Sequence, residues 1–158
     1  MQKIFLILGL LFVTNLYTSA QTPAQTAAQR TEKFNLSGKL ALQGYDPVAY
    51  FTQKKAVKGS ATHTATYEGV QYNFSSAGNK AKFLATPSQF EPEYGGWCAY
   101  ALGSRNMKIE IDPETFKIIN GKLYLFYNAY FNNTLTSWNK DEKALLPKAN
   151  ANWAKLSL

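Results

Sequence analysis

Ala65–Phe74, ATYEGVQYNF, alternates large apolar and polar side chains on either side of Glu68-Gly69. Tyr67 precedes the pair; Val70, Tyr72 and Phe74 follow it. A period of two over so short a run is the mark of half-buried strands, and a glycine at the centre is the mark of a turn, so the stretch predicts a β-hairpin. Ser76 then stands where a helix N-cap would, with Ala77, Ala81 and Leu84 at helical spacing behind it. Thr86-Pro87 ends that helix or opens another turn.

The same order recurs downstream. Phe116-Lys117-Ile118-Ile119 and Lys122 to Tyr127 flank Asn120-Gly121. Asn-Gly is a strong hairpin signal, because both central residues of the favoured two-residue turn take positive φ. Before this unit, Asp112-Pro113-Glu114 predicts a capped helix start. After it, Phe131, Leu135, Trp138 and Leu145 predict one helical face. Pro147 is expected to break that helix, and Ala149, Trp153 and Leu156 to start another. Upstream, Gly44 to Phe51, GYDPVAYF, predicts a turn into a short helix, with Asp46 as N-cap and Pro47 at the first helical position. Two hairpin-then-helix units could be an internal duplication, but such units are common motifs and one domain accommodates both. The predicted fold is therefore α+β: a compact single domain with two short antiparallel hairpins and several short helices.

The domain does not begin at residue 1. Lys3 is followed by Ile4 to Val13, IFLILGLLFV, and then by polar and small residues ending Thr18-Ser19-Ala20. That layout predicts a signal peptide over residues 1–20, cleaved after Ala20. The apolar run is too short for a span, which needs about 20 residues. No cysteine adjoins the cleavage point to carry a lipid. Residues 21–35, QTPAQTAAQRTEKFN, are poor in large apolar side chains before Phe34 and are expected to be a disordered linker. The folded unit is placed at residues 36–158. The chain is thus expected to be exported, to the periplasm or beyond, with no stable membrane insertion once the leader is gone.

The 158 residues carry a formal charge of +7, which falls to +6 without Lys3. Its lysines are scattered singly or in pairs, without the run expected of a nucleic-acid-binding arm, so no nucleic acid partner is expected. One cysteine cannot close an internal disulfide. Cys98 is therefore buried and inert, paired between chains, or a reactive or metal-binding thiol. It lies in Tyr94 to Tyr100, YGGWCAY, behind two glycines that allow tight turning and close approach.

These motifs, in this order, resemble the YHS-domain proteins, and more narrowly their exported bacterial branch. The resemblance rests on GYDPVAYF, AVKGS (Ala56–Ser60), the stretch from YEGVQYNF to YGGWCAYA, NGKLYLFYN and NANW. It covers about Leu42 to Trp153. It implies a small treble-clef-like module that binds metal ions. In some members of the branch the position of Cys98 is taken by selenocysteine, which implies redox or soft-metal chemistry there. This chain departs from the metal-binding pattern. Where such modules carry cysteines after the Asp-Pro and after the hairpin, it has Ala49 and Ser75, Ser76 and Asn79.

The expected function is a small-ligand or metal-ion-binding module centred on Cys98, with a soft metal favoured. Copper or zinc is the candidate cofactor and His63 the candidate co-ligand. A structural zinc site is disfavoured, since it needs about four Cys/His ligands and the chain has one of each. Tyr45, Asp46, Tyr50, Tyr94, Gly95, Gly96, Trp97 and Tyr100 are candidate pocket residues, because aromatic walls with a few polar groups typify ligand clefts. Two alternatives stand beside this one. The thiol could react with an oxidant or a partner thiol, or Cys98 could be a structural residue in an envelope interaction module. No standing enzymatic activity is expected.

Overall fold

The computed structural model describes residues 23–156, so the leader read at residues 1–20 lies outside the described residues. The described chain is α+β. In chain order it runs α1 (Pro23–Lys33), β1 (Leu36–Ser37), β2 (Leu40–Ala41), α2 (Pro47–Thr52), β3 (Ser60–Tyr67), β4 (Val70–Phe74), α3 (Ala77–Ala85) and α4 (Pro87–Phe90). It continues with α5 (Ala99–Arg105), β5 (Asp112–Ile119), β6 (Lys122–Phe126), β7 (Asn128–Ala129), β8 (Asn132–Asn133), α6 (Thr134–Lys140) and α7 (Glu142–Leu156). Four strands form a sheet in the order β1-β2-β4-β3, in which only the β2–β4 pairing is parallel. The pairs β5–β6 and β7–β8 are separate antiparallel ribbons.

Both expected hairpins form, with Tyr67 opposite Val70 and Ile119 opposite Lys122 across two-residue turns. β4 buries Val70, Tyr72 and Phe74, as its alternation requires. β6 does more. Leu123 and Leu125 belong to a core with Tyr50, Tyr72, Phe74 and Phe83, while Tyr124 and Phe126 belong to a second core with Trp138, Leu145 and Ala149. Successive side chains of a strand point to opposite faces, so one strand divides and serves two cores. A near-continuous apolar run such as LYLF suits a strand covered on both faces.

The Asp46 cap is as expected, and it reaches further than a cap. Its fully buried carboxylate accepts from the backbone of Val48 and Ala49, from the backbone and hydroxyl of Ser75, and from the Asn79 amide. Those five donors tie the start of α2 to the end of β4 and the first turn of α3. Ser76 caps α3 through the Asn79 N–H. The helix buries Asn79 and Phe83 and leaves Leu84 52 % exposed, so its inner face is rotated from the one expected through Leu84. Asn79 must face Asp46, and that sets the rotation.

Three expectations are corrected downstream. Asp112-Pro113-Glu114 opens β5, not a helix: Asp112 accepts from the Glu114 N–H and the Thr115 hydroxyl in a local turn, and the β-prone run Thr115–Ile119 carries on as strand. Phe131 is not helical, because β7 and β8 form a further hairpin around Tyr130-Phe131. Pro147 does not break a helix. The break falls at Asp141, whose carbonyl accepts from Ala144 and Leu145 as α7 begins, and α7 continues through Pro147. Leu145 and Ala149 are buried on either side of it, so packing outweighs the one hydrogen bond a proline forfeits.

Residues 21–35 were expected to be a disordered linker, and of these Pro23–Lys33 form a helix. Pro23 sits at the first position of an Ala- and Gln-rich segment, a composition of good helix formers. Arg30 fastens it, pairing with Glu91 and Glu68 while its guanidinium lies over the Phe34 and Tyr67 rings. Glu91 also accepts from the Tyr72 hydroxyl at 2.6 Å.

Two predictions follow from this framework. Asp46→Ala strands several buried donors at once and lowers unfolding free energy by about 3 kcal/mol or more, measured by urea denaturation. An unchanged midpoint would refute the hub. At the other end, the Lys117 ammonium, 2.6 Å away, holds the Glu142 carboxyl below the usual carboxylate range, with the Trp138 indole N–H adding to it and partial burial opposing. A depressed carboxyl stabilises the fold above its unfolded pKa and loses that effect as pH falls through the folded value. The stability gap between wild type and Glu142→Gln is therefore present at neutral pH and closes below about pH 4.

Candidate functional site: a cavity above Cys98

The YGGWCAY stretch does two jobs on two sides. Tyr94, Gly95 and Gly96 all take positive φ, at 58°, 61° and 86°. A Cβ on Gly95 would stand 3.0 Å from the Phe34 ring. Asn35 donates its N–H to the Gly95 carbonyl at 2.8 Å and its amide to Gly96 at 3.2 Å, and the Trp97 indole donates to the Lys33 carbonyl at 2.7 Å. Gly95, Gly96 and Trp97 are thus the seat on which the end of α1 docks. They line no cavity with Cys98.

Beyond Trp97 the chain turns extended and runs parallel to β6, with bridges Pro92–Leu123 and Cys98–Leu125. Cys98 donates its N–H to Ile109 at 3.0 Å and leads directly into α5. Its side chain is 0 % exposed. The sulfur accepts from the Tyr127 N–H at 3.4 Å and lies 3.5 Å from the Thr134 hydroxyl. Thr134 gives its own proton to the Tyr127 carbonyl at 2.8 Å, so the thiol is the donor in the Cys98–Thr134 contact. Both functions of the thiol are satisfied within the fold.

Above it lies a cavity of about 560 Å³, walled by Ala101, Ile109, Tyr100 and Tyr127, with Asn132, Thr134, Ser137 and Arg105 supplying polar groups. Cys98 adjoins this space with no surface of its own, so it lies just beneath the floor. Among the described residues Arg105 is the sole charged residue on the wall; it is exposed, and its guanidinium makes no ion pair or hydrogen bond with them. Among the described residues no carboxylate lines the space. The volume falls within the range of small-molecule sites, about 300–1,000 Å³.

The other expected site residues go elsewhere. Tyr45 donates to Glu114 at 3.0 Å and Tyr50 to the Pro113 carbonyl at 2.9 Å, both in the core around Asp46. Tyr94 donates to Asn150 at 2.8 Å in the second core. Burial, reinforced by neighbouring carboxylates, raises the Tyr45 and Tyr50 phenols above their ordinary value; burial first, then Tyr124 and Glu93, does the same for Tyr94. They are neutral donors that hold the packing together, not acids in a cleft. Of the expected pocket residues, only Tyr100 meets Cys98 at the cavity. His63 sits half-buried on β3, next to the irregularity between Ser60 and Thr64, and neither lines the cavity nor bonds to Cys98.

A copper or zinc ion needs soft or nitrogen donors converging on one point. Around Cys98 the neighbours are a hydroxyl and a backbone N–H. Among the described residues no group of three His, Cys, Asp or Glu side chains could hold a metal. The donors present do not fit such an ion.

Arg105 carried a readable signal that was missed. Cys98, Ala101 and Arg105 are spaced three and four apart, which sets them along one face as the chain enters and follows α5. Thr134, Asn132 and Tyr127 carried none, since only the fold of β6 and the β7–β8 hairpin brings them to Cys98. No family model, no curated protein and no solved structure matches the chain.

Gly95→Ala forces a Cβ against Phe34 at a positive φ and should cost about 1–3 kcal/mol in denaturant unfolding. It should also raise protease cleavage within α1 before the rest of the chain is cut. Unchanged stability would mean the double glycine is not the seat of α1.

Proposed function

We propose that the chain is an exported YHS-like module that binds a small organic acid in the cavity above Cys98. One observation carries the reading: a guanidinium with no partner among the described residues is the only charge on the wall of a cavity otherwise lined by hydroxyl, amide and apolar groups. An acid head would find a charge-assisted, bidentate partner in Arg105. Its body would lie against Ile109, Ala101 and the rings of Tyr100 and Tyr127. The export reading is supported by the leader-like residues 1–20, and the family reading by the motifs from GYDPVAYF to NANW.

Cys98 contributes as the floor. Its burial and its two internal hydrogen bonds favour this reading over one in which the thiol meets an oxidant directly. The absent donor set favours an organic ligand over a soft metal.

The test is a panel of small carboxylates and sulfonates titrated against the purified protein, followed by backbone amide shifts. Bound acids should move the Cys98, Tyr127 and Thr134 amides and slow alkylation of the thiol. Arg105→Gln should weaken binding by about tenfold or more, the weight of one hydrogen bond to a charged group. Shifts that avoid these residues, or an Arg105→Gln protein that binds as well as wild type, would overturn the reading.

A further inference from the structure

The tip of hairpin β7–β8 is made of residues that its turn disfavours. Three hairpins in this fold close through two-residue turns whose central residues both have positive φ. They are Glu68-Gly69 at 45° and 86°, Asn120-Gly121 at 51° and 75°, and Tyr130-Phe131 at 50° and 61°. The first two place glycine at the second position, where it is free of steric cost. The third places a phenylalanine there and a tyrosine before it. For bulky side chains this conformation is an outlier.

Packing could compensate, but Tyr130 is 91 % exposed and Phe131 112 %. Nothing inside the described fold rewards the two rings. The described fold does not offset the strain of this solvent-facing aromatic pair, and a contact outside it would.

Its location says with what. Tyr127, just before the hairpin, and Asn132, directly after Phe131, both line the cavity above Cys98. The tip is therefore rooted in the cavity rim, with Phe131 one Cα step, about 3.8 Å, from a lining residue. Neither ring lines the cavity in this structure; both are attached beside its rim and stand in solvent, so closing on a ligand would take a rotation of their side chains.

We propose that Tyr130 and Phe131 form an aromatic clamp at the mouth of this cavity, and that the ligand is a small acid with a flat aromatic body. The acid head meets Arg105, and the ring, projecting toward the rim, is held edge-to-face or stacked by the clamp. This rests on the small-acid reading of the cavity and adds the class of the ligand's body.

The experiment compares phenylacetate with acetate, which share a head and differ by the ring, on wild type and on Tyr130→Asn/Phe131→Gly. The double substitution installs the residues the turn prefers. It should therefore melt at a higher temperature than wild type, which separates loss of contact from loss of fold. Wild type should bind phenylacetate more tightly than acetate, and the two clamp contacts should account for about tenfold of that preference. In the variant the ratio should fall by about that factor, leaving only what the ring gains against the cavity walls.

An unchanged ratio would overturn the clamp and leave the cavity reading standing. Absence of binding by both acids in wild type would overturn both. A variant that melts lower than wild type would show that the rings serve folding. Sedimentation with anionic vesicles that the substitution abolishes, without discrimination between the acids, would assign the tip to a bilayer and overturn the clamp as well.

Discussion

β6 is buried on both faces, and the rest of the fold is arranged to make that possible. A strand with Leu123 and Leu125 on one side and Tyr124 and Phe126 on the other cannot lie at a surface. One side must be covered by the four-stranded sheet with α2 and α3, and the other by α5, α6 and α7. The backbone edge of β6 must also be satisfied, and the Pro92–Cys98 segment does this through its bridges to Leu123 and Leu125. Cys98 is thus placed by sheet geometry. The thiol lies where the strand ends and Tyr127 turns its N–H inward.

Asp46 plays the matching part on the sheet side. A buried carboxylate without a cation is costly unless hydrogen bonds replace its water. Here five donors do so, and because they come from α2, β4 and α3 the carboxylate fixes three elements at once. This is why α3 turns Asn79 inward and Leu84 outward. An apolar pattern alone would have chosen Ala81 and Leu84; the demand of a buried charge overrides it. The close passage of α5 and α7 completes the other side, where a Cβ on Gly103 would come within 2.8 Å of the Leu145 carbonyl.

What could be read from the sequence was what local chemistry decides. Alternation with glycine turns fixed both long hairpins, and Asp46-Pro47 and Ser76 fixed two helix starts. The failures share a cause. Asp112-Pro113 has the local chemistry of a cap, yet it serves a turn at the head of a strand, because the β-branched and aromatic residues after it decide the element. Pro147 has the chemistry of a breaker, yet α7 packs along its length. The hairpin at Tyr130-Phe131 was invisible because its turn lacks glycine. The site was legible only in part. Of YGGWCAY, Cys98 and Tyr100 adjoin the candidate cavity while the glycines serve α1, and the other lining residues include Arg105 and residues about 30 positions away that no spacing rule connects.

The identity of the residue at 98 can be argued from its two bonds. The position must accept from the Tyr127 N–H and donate to Thr134 while filling space in a packed core. Alanine would leave the N–H unpaired, a penalty of about 1–3 kcal/mol for a buried donor. Serine has the same donor and acceptor but shorter reach and a more polar hydroxyl, so it fits the 3.4 and 3.5 Å spacings and the apolar surroundings less well. A thiol is a small hydrophobe with a weak donor and a weak acceptor, and all three properties are used here. Sulfur's longer contacts, 3.4 Å to the Tyr127 N–H and 3.5 Å to the Thr134 hydroxyl, match the spacing found here. The lone cysteine therefore has a structural reason to exist that also shapes the cavity, independent of any reaction at the sulfur.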